Sequence, residues 1–111
     1  MTFILEVTKL ELMKLTDSKK LHANAATVAN LLKSLANRER LLILCQLVEG
    51  EKTAGDLWQQ SNLSQSAFSQ HLGVLRREKL VKTRKESQTI FYSLANDHAI
   101  KVLELMYKLY H

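Results

Sequence analysis

The sequence predicts a mainly α-helical chain carrying one small β-hairpin (an α+β fold), and three observations predict it. Apolar residues recur at helical spacing through most of the chain, and the period switches to two over a single stretch, residues 80 to 94. The 111 residues include no proline and only 3 glycines, too few for a loop-rich β fold. That length suits one domain with a modest core, to which a second copy would add useful buried surface. With 46% hydrophobic and 24% charged residues, the composition excludes a disordered or fibrous chain.

Residues 1–17 stand apart as an N-terminal extension to a domain spanning 18–111. "MTFILEVTKLELMKL" is apolar, yet Glu6, Lys9, Glu11 and Lys14 interrupt it and no basic segment precedes it. No unbroken apolar span approaches the ~18 residues that a membrane crossing needs. An amphipathic helix is expected, with Ile4, Val7 and Leu10 on its apolar side. The lack of a secretion signal, and a single cysteine that cannot close an intramolecular disulfide, point to a reducing cytoplasm.

In the domain, Leu21, Ala25, Val28, Leu32 and Leu35 place a first core helix over about residues 19 to 35, with Asp17 or Ser18 as N-cap. Asn37 caps a second helix, whose stripe reads Leu41, Leu44, Cys45 and Val48 and which Gly50 stops. Thr53 caps a short third helix with Leu57 and Trp58 inward, ending near Ser61. Ser64 then opens "SQSAFSQHLGVLRREK", where Phe68, Leu72 and Leu75 share one face and Gln65, Ser66, Ser69, Gln70 and Gly73 take the other. Two helices joined by so short a turn make a helix-turn-helix. In "LVKTRKESQTIFYSL", Val81, Thr83 and Lys85 alternate with Lys82 and Arg84, and Ile90, Tyr92 and Leu94 with Phe91 and Ser93, which is the pattern of a β-hairpin. Its tip near Glu86 and Ser87 lacks glycine, so a longer loop is expected there than a tight two-residue turn. Asn96 or Asp97 caps a last helix, residues 97 to 110, apolar on two sides, which calls for burial against its own domain and against a second copy. The order α-α-α-α-β-β-α is that of a winged helix-turn-helix.

Lysine and arginine exceed acids by 16 to 11, a net charge of +5. Between Ser64 and Ser93, Arg76, Arg77, Lys79, Lys82, Arg84 and Lys85 face only Glu78 and Glu86, a local surplus of four. Glutamine can pair bidentately with adenine in a major groove, serine can serve bases or phosphates, and helix N-termini, here at Thr53 and Ser64, favour phosphate. Arg76, Arg77, Lys82, Arg84 and Lys85 would neutralise phosphates, with Arg84 and Lys85 near the wing tip, where an arginine can enter a minor groove. His71, beside this face, suits a phosphate contact or a structural hydrogen bond better than metal ligation, since no other ligand type lies at suitable spacing. The partner implied is double-stranded DNA.

"SLANRERLLILCQL", "LSQSAFSQHLGVLRREKLV" and "TRKESQTIFYSL" resemble the ArsR/SmtB family of bacterial winged-helix transcriptional regulators, and within it the HlyU/BigR-like subgroup, over about residues 22 to 111. The resemblance implies a homodimer on a roughly palindromic operator. It joins through the first core helix and the last, which assigns Leu21, Val28, Ile100, Leu103, Met106, Tyr107 and Tyr110 to the interface. Gln65, Ser66, Ser69, Gln70 and His71 match the recognition-helix motif, and Arg84, Lys85 and Gln88 match the wing. Many members of the larger family release DNA on binding metal. Here "TAGDLWQ" stands where one metal site needs Cys-x-Cys, and Ala99 occupies a required histidine position of the other, so neither site is complete and no cofactor is implied; a regulator with a noncanonical site built from His22, His98 and His111, or with no inducer, is the alternative. The subgroup resembles thiol sensors with two cysteines. Cys45 matches the first, and His111 stands at the second. Cys45 thus carries two readings, an inert small core residue and a lone redox-responsive thiol.

Three function classes are open to such a chain. A DNA-binding regulator, either a repressor or an anti-silencer that displaces another protein, accounts for the basic hairpin and the small polar helix face. A winged-helix assembly module is the alternative, but its contact surface should be apolar and poorer in lysine. An enzyme is disfavoured, for no base need lie near Cys45 and no Ser/His/Asp or paired-carboxylate constellation exists.

Overall fold

A computed structural model of the chain describes Thr8 and residues 18–111. The amphipathic helix expected over residues 1–17, and Asp17 as a cap, fall outside the described residues but for Thr8, which has no regular secondary structure. The elements are α1 (Ser18–Leu35), α2 (Arg38–Val48), β1 (Lys52–Thr53), α3 (Ala54–Gln59), α4 (Gln65–Arg77), β2 (Val81–Glu86), β3 (Thr89–Leu94) and α5 (Asp97–Tyr110). The chain divides into two compact units, and the boundary falls inside α1, after Leu32.

Helix boundaries follow from capping chemistry. Asn37, Thr53, Ser64 and Asn96 are each N-caps in extended conformation, and their side chains accept from the backbone N–H groups of Arg40, Asp56, Ala67 and Ala99 at 3.0–3.1 Å. Each cap satisfies one of the orphan donors of a first turn and stabilises its helix by about 1 kcal/mol. Gly50 ends the α2 region at a φ of 138°, where a side chain would be strained.

The core of the second unit joins α2, α3, α4, α5 and the strand bases. Leu44, Leu57, Leu75 and Leu80 are completely or almost completely removed from solvent, each burial contributing roughly 2 kcal/mol. The stripe expected on α2 is rotated: Ile43, Leu44 and Leu47 are buried, whereas Cys45 and Val48 are exposed. "LLILCQLV" is apolar almost all round, so periodicity could not select which arc faces inward, and Cys45 lies about 100° round the helix from Leu44. Cys45 is therefore not a core residue. On α1, Ser34 and Leu35 are buried, while Leu21, Val28 and Leu32 are about half accessible (50%, 49% and 51%).

Chain direction reverses between α4 and β2 at a compact corner. The Lys79 N–H donates to the Arg76 carbonyl at 3.1 Å and the Leu80 N–H to that of Leu75 at 2.9 Å. Lys79 adopts a φ of 58°. This is a Schellman motif, and its hydrophobic contact is supplied by Leu75 and Leu80, both buried.

The sheet contains one strand more than the sequence predicted. β1, of two residues, pairs antiparallel with β3, giving the order β1-β3-β2. The hairpin tip is also tighter than expected. Glu86 pairs with Thr89, so Ser87 and Gln88 alone form the turn, with Ser87 taking the positive φ (56°) that glycine would normally supply.

Because Lys79 sits in the left-handed region, Lys79→Gly should raise the unfolding free energy by up to about 1 kcal/mol and Lys79→Val should lower it by about 1–2 kcal/mol. Denaturant titration checks both signs, and equal stability of the two variants would contradict the corner.

Candidate nucleic-acid interface

The α3–α4 turn is built by side chains that grip the backbone. Trp58 donates from Nε1 to the Leu63 carbonyl at 2.9 Å, and Ser61 donates from Oγ to the Trp58 carbonyl at 2.8 Å. Trp58 is half-buried, and its indole N–H clasps the turn between α3 and α4. Burial of Phe68, Leu72 and Leu75 then fixes the rotation of α4 about its own axis.

The opposite face of α4 presents Gln65, Ser66, Ser69 and Gln70 to solvent, and His71 is half-buried beside them. An open groove of about 630 Å³ runs along α3 and α4; its lining includes Gly55, Gln65, Ser66, Ser69, Gly73 and Arg76. Four predicted contacts, Gln65, Ser66, Ser69 and Arg76, therefore share one groove; Gln70 and His71 lie on α4 but do not line it. Thr53 and Ser64 are already acceptors for their own helix N-termini, so their hydroxyls have only the proton and a second lone pair left for a ligand.

The basic residues split into two groups. Arg76, Arg77, Lys82 and Lys85 are exposed and form no ion pair among the described residues. Arg84 differs. Its Nε and Nη2 donate to both Glu51 carboxylate oxygens at 2.7 and 2.8 Å, its Nη1 donates to Glu86 at 2.7 Å, and its guanidinium carbon lies 4.4 Å from the Phe91 ring centroid. These contacts hold Glu51 below the usual carboxylate range and raise the pKa of Arg84 still further. Arg84, expected near the wing tip as a phosphate contact, lies on β2 with Lys85 and Glu86 between it and the Ser87–Gln88 turn, and is paired with two carboxylates. Of the expected wing contacts, Lys85, opposite Ile90, and Gln88, in the turn, are exposed and lie nearer that tip than Arg84. Sequence reasoning missed Glu51, because a two-residue strand leaves no alternation to read.

The matching family model, bacterial regulatory protein, arsR family, covers residues 37–83. The transcriptional activator HlyU of Vibrio cholerae serotype O1 is 47% identical over 92 residues, spanning 83% of this chain and 85% of that one. The chain belongs to the ArsR family. It is accordingly a winged helix-turn-helix, DNA-binding transcriptional regulator, and the family is not enzymatic. Among solved structures, the transcriptional repressor BigR of Xylella fastidiosa superposes with a TM-score of 0.77 at 38% identity, covering 86% of this chain and 98% of that one. A homodimeric winged helix-turn-helix DNA-binding domain of Mycobacterium bovis gives 0.69 at 28% identity, with 85% of each chain covered.

In this ArsR-family regulator the residues expected at a dimer interface divide. Met106, Tyr107 and Tyr110 are exposed, Ile100 is half-buried, and Leu103 is buried. Leu103 therefore serves its own core: α5 turns one side inward, and Leu103 is on it with Ala99. His111 stacks on Tyr107, ring centroids 4.1 Å apart. Among the described residues no group of three His, Cys, Asp or Glu side chains is placed to hold a metal, and no helix is long and apolar enough to cross a membrane.

Cys45 opens onto a cleft of about 380 Å³ between α2 and α5, with Val48, Leu103 and Tyr107 in its walls. Partial burial pushes its thiol pKa up. Iodoacetamide should thus label Cys45 in the folded protein, more slowly than free cysteine at neutral pH, with a rate still climbing above the ordinary thiol value of about 8.5. A rate that levels off below that pH would contradict the raised pKa.

Proposed function

We propose that this regulator binds a two-fold symmetric operator as a homodimer, placing α4 of each copy in successive major grooves ~34 Å apart, and represses transcription or displaces another DNA-bound protein. The observation that carries this reading is the solvent-facing row Gln65, Ser66, Ser69 and Gln70, flanked by the unpaired Arg76, Arg77, Lys82 and Lys85. Short polar side chains can reach base edges, and unpaired cations can replace the counterions of phosphates without first giving up a carboxylate. Dimerisation is supported by the homodimeric relative and by the exposed Met106, Tyr107 and Tyr110 on α5; Leu21 and Val28 on α1 are exposed as well. Exposed apolar side chains of this kind have a hydrophobic cost in water that a second copy would remove.

The exposure of Cys45 favours a second layer to this reading, a response to oxidants or sulfide species. With one cysteine in the chain no intramolecular disulfide is available, so such a response runs through products formed with an external oxidant, such as a sulfenic acid, a persulfide or a mixed disulfide. Intact mass and DNA affinity of the wild type and Cys45→Ser, before and after peroxide or polysulfide, test it. A mass and an affinity that do not move in the wild type would exclude Cys45 as the sensor.

Lys82→Ala with Lys85→Ala should weaken binding to operator and random DNA alike and reduce the salt slope by about 2, whereas Gln70→Ala should chiefly relax sequence choice. Fluorescence anisotropy across a salt series separates the two, and equal effects of both variants on both DNAs would refute the division of roles. For the dimer, Tyr107→Glu combined with Tyr110→Glu should shift the sedimentation mass to that of one chain.

A further inference from the structure

The pairing of Arg84 gives the wing an internal tie. Arg84 on β2 lies opposite Phe91 on β3, and Phe91 lies opposite Thr53 on β1. Side chains opposite one another share a face of the sheet, and Glu51 and Glu86, each two residues from a member of this row, share it as well. The guanidinium crosses the central strand, rests on the Phe91 ring and grips Glu51 with two parallel hydrogen bonds. Glu51 belongs to the connection between α2 and β1, which leads directly into the helix-turn-helix. One side chain thereby ties the outer strand of the wing to the segment that carries α3.

We propose that Arg84 and Glu51 are positioning residues for DNA binding: they form a strut that fixes the wing relative to the helix-turn-helix, while the phosphate charge is supplied by Lys82, Lys85, Arg76 and Arg77. The proposal rests on the DNA-binding reading above. Three of the five N–H donors of Arg84 are committed to carboxylates. One cation shared between two carboxylates leaves no surplus positive charge on Arg84 itself, so the charge that draws a phosphate has to come from the cations around it. Bidentate geometry with ring stacking is a use of arginine that lysine cannot reproduce, although lysine serves well as a point charge for phosphate.

The strut and a phosphate contact predict opposite results. The probe is a duplex selected by the wild-type protein from a random-sequence library, with an unselected duplex as control. If the strut acts as described, Glu51→Gln and Arg84→Lys each weaken binding to the selected duplex by about 3- to 10-fold, and the double variant is no weaker than either alone. The dependence of affinity on salt stays at the wild-type slope, since no phosphate contact is lost. Amide exchange in the hairpin of free Glu51→Gln protein accelerates, while far-UV circular dichroism confirms an intact fold. Tighter binding by Glu51→Gln with a steeper salt slope would show that Arg84 is a phosphate ligand held back by Glu51, and wild-type affinity in Arg84→Lys would show that only its charge matters; either overturns the proposal. Failure of the wild type to bind any duplex would strike the DNA-binding reading, whereas unchanged hairpin exchange in Glu51→Gln would strike the strut itself.

Discussion

Burial of Phe68, Leu72 and Leu75 is the constraint on which the interface depends. An α-helix that commits one arc to a core has no choice about what the opposite arc shows, so Gln65, Ser66, Ser69 and Gln70 face solvent as a consequence of packing. The ends of the same helix are fixed by different means. Ser64 caps the N-terminus, Trp58 holds the turn before it, and the Schellman corner at Lys79 closes the C-terminus by burying Leu80 against the body. A helix that reads DNA must arrive at a groove in one orientation, and in the binding mode proposed above these contacts hold α4 in place before any DNA is present.

Electrostatics then divide labour among residues that look alike in the sequence. Six cations crowd residues 76 to 85, but Arg84 is neutralised by Glu51 and Glu86. Its neighbours Lys82 and Lys85 remain exposed and unpaired among the described residues. A paired arginine stiffens a surface, and an unpaired lysine on the same hairpin attracts phosphate from a distance. Net charge describes neither role.

Cys45 illustrates a related separation. Its place in a leucine-rich helix suggested a core residue, yet it lines a cleft toward α5 with its thiol partly desolvated. Access and thiolate character are independent requirements for redox chemistry, and this site meets the first while burial works against the second. The stacked His111 and Tyr107 lie at the end of α5, the helix that forms the other wall of that cleft.

The sequence by itself determined the helices from Ser18 onward, the caps of the last four and the wing hairpin. Asn37, Thr53 and Ser64 cap as read, and the switch from helical to alternating period marks the hairpin, because capping and periodicity act over a few neighbouring residues. It also identified the exposed face of α4, whose polar and apolar arcs are cleanly separated. Tertiary structure decided the rest: which arc of the uniformly apolar α2 turns inward, that Leu103 belongs to the core, that a two-residue β1 joins the sheet, that Ser87 accepts a left-handed turn, and that Arg84 pairs with Glu51 across 33 positions. Each of these is settled by contacts between residues far apart in the chain, where a local pattern permits several outcomes and packing or charge selects one.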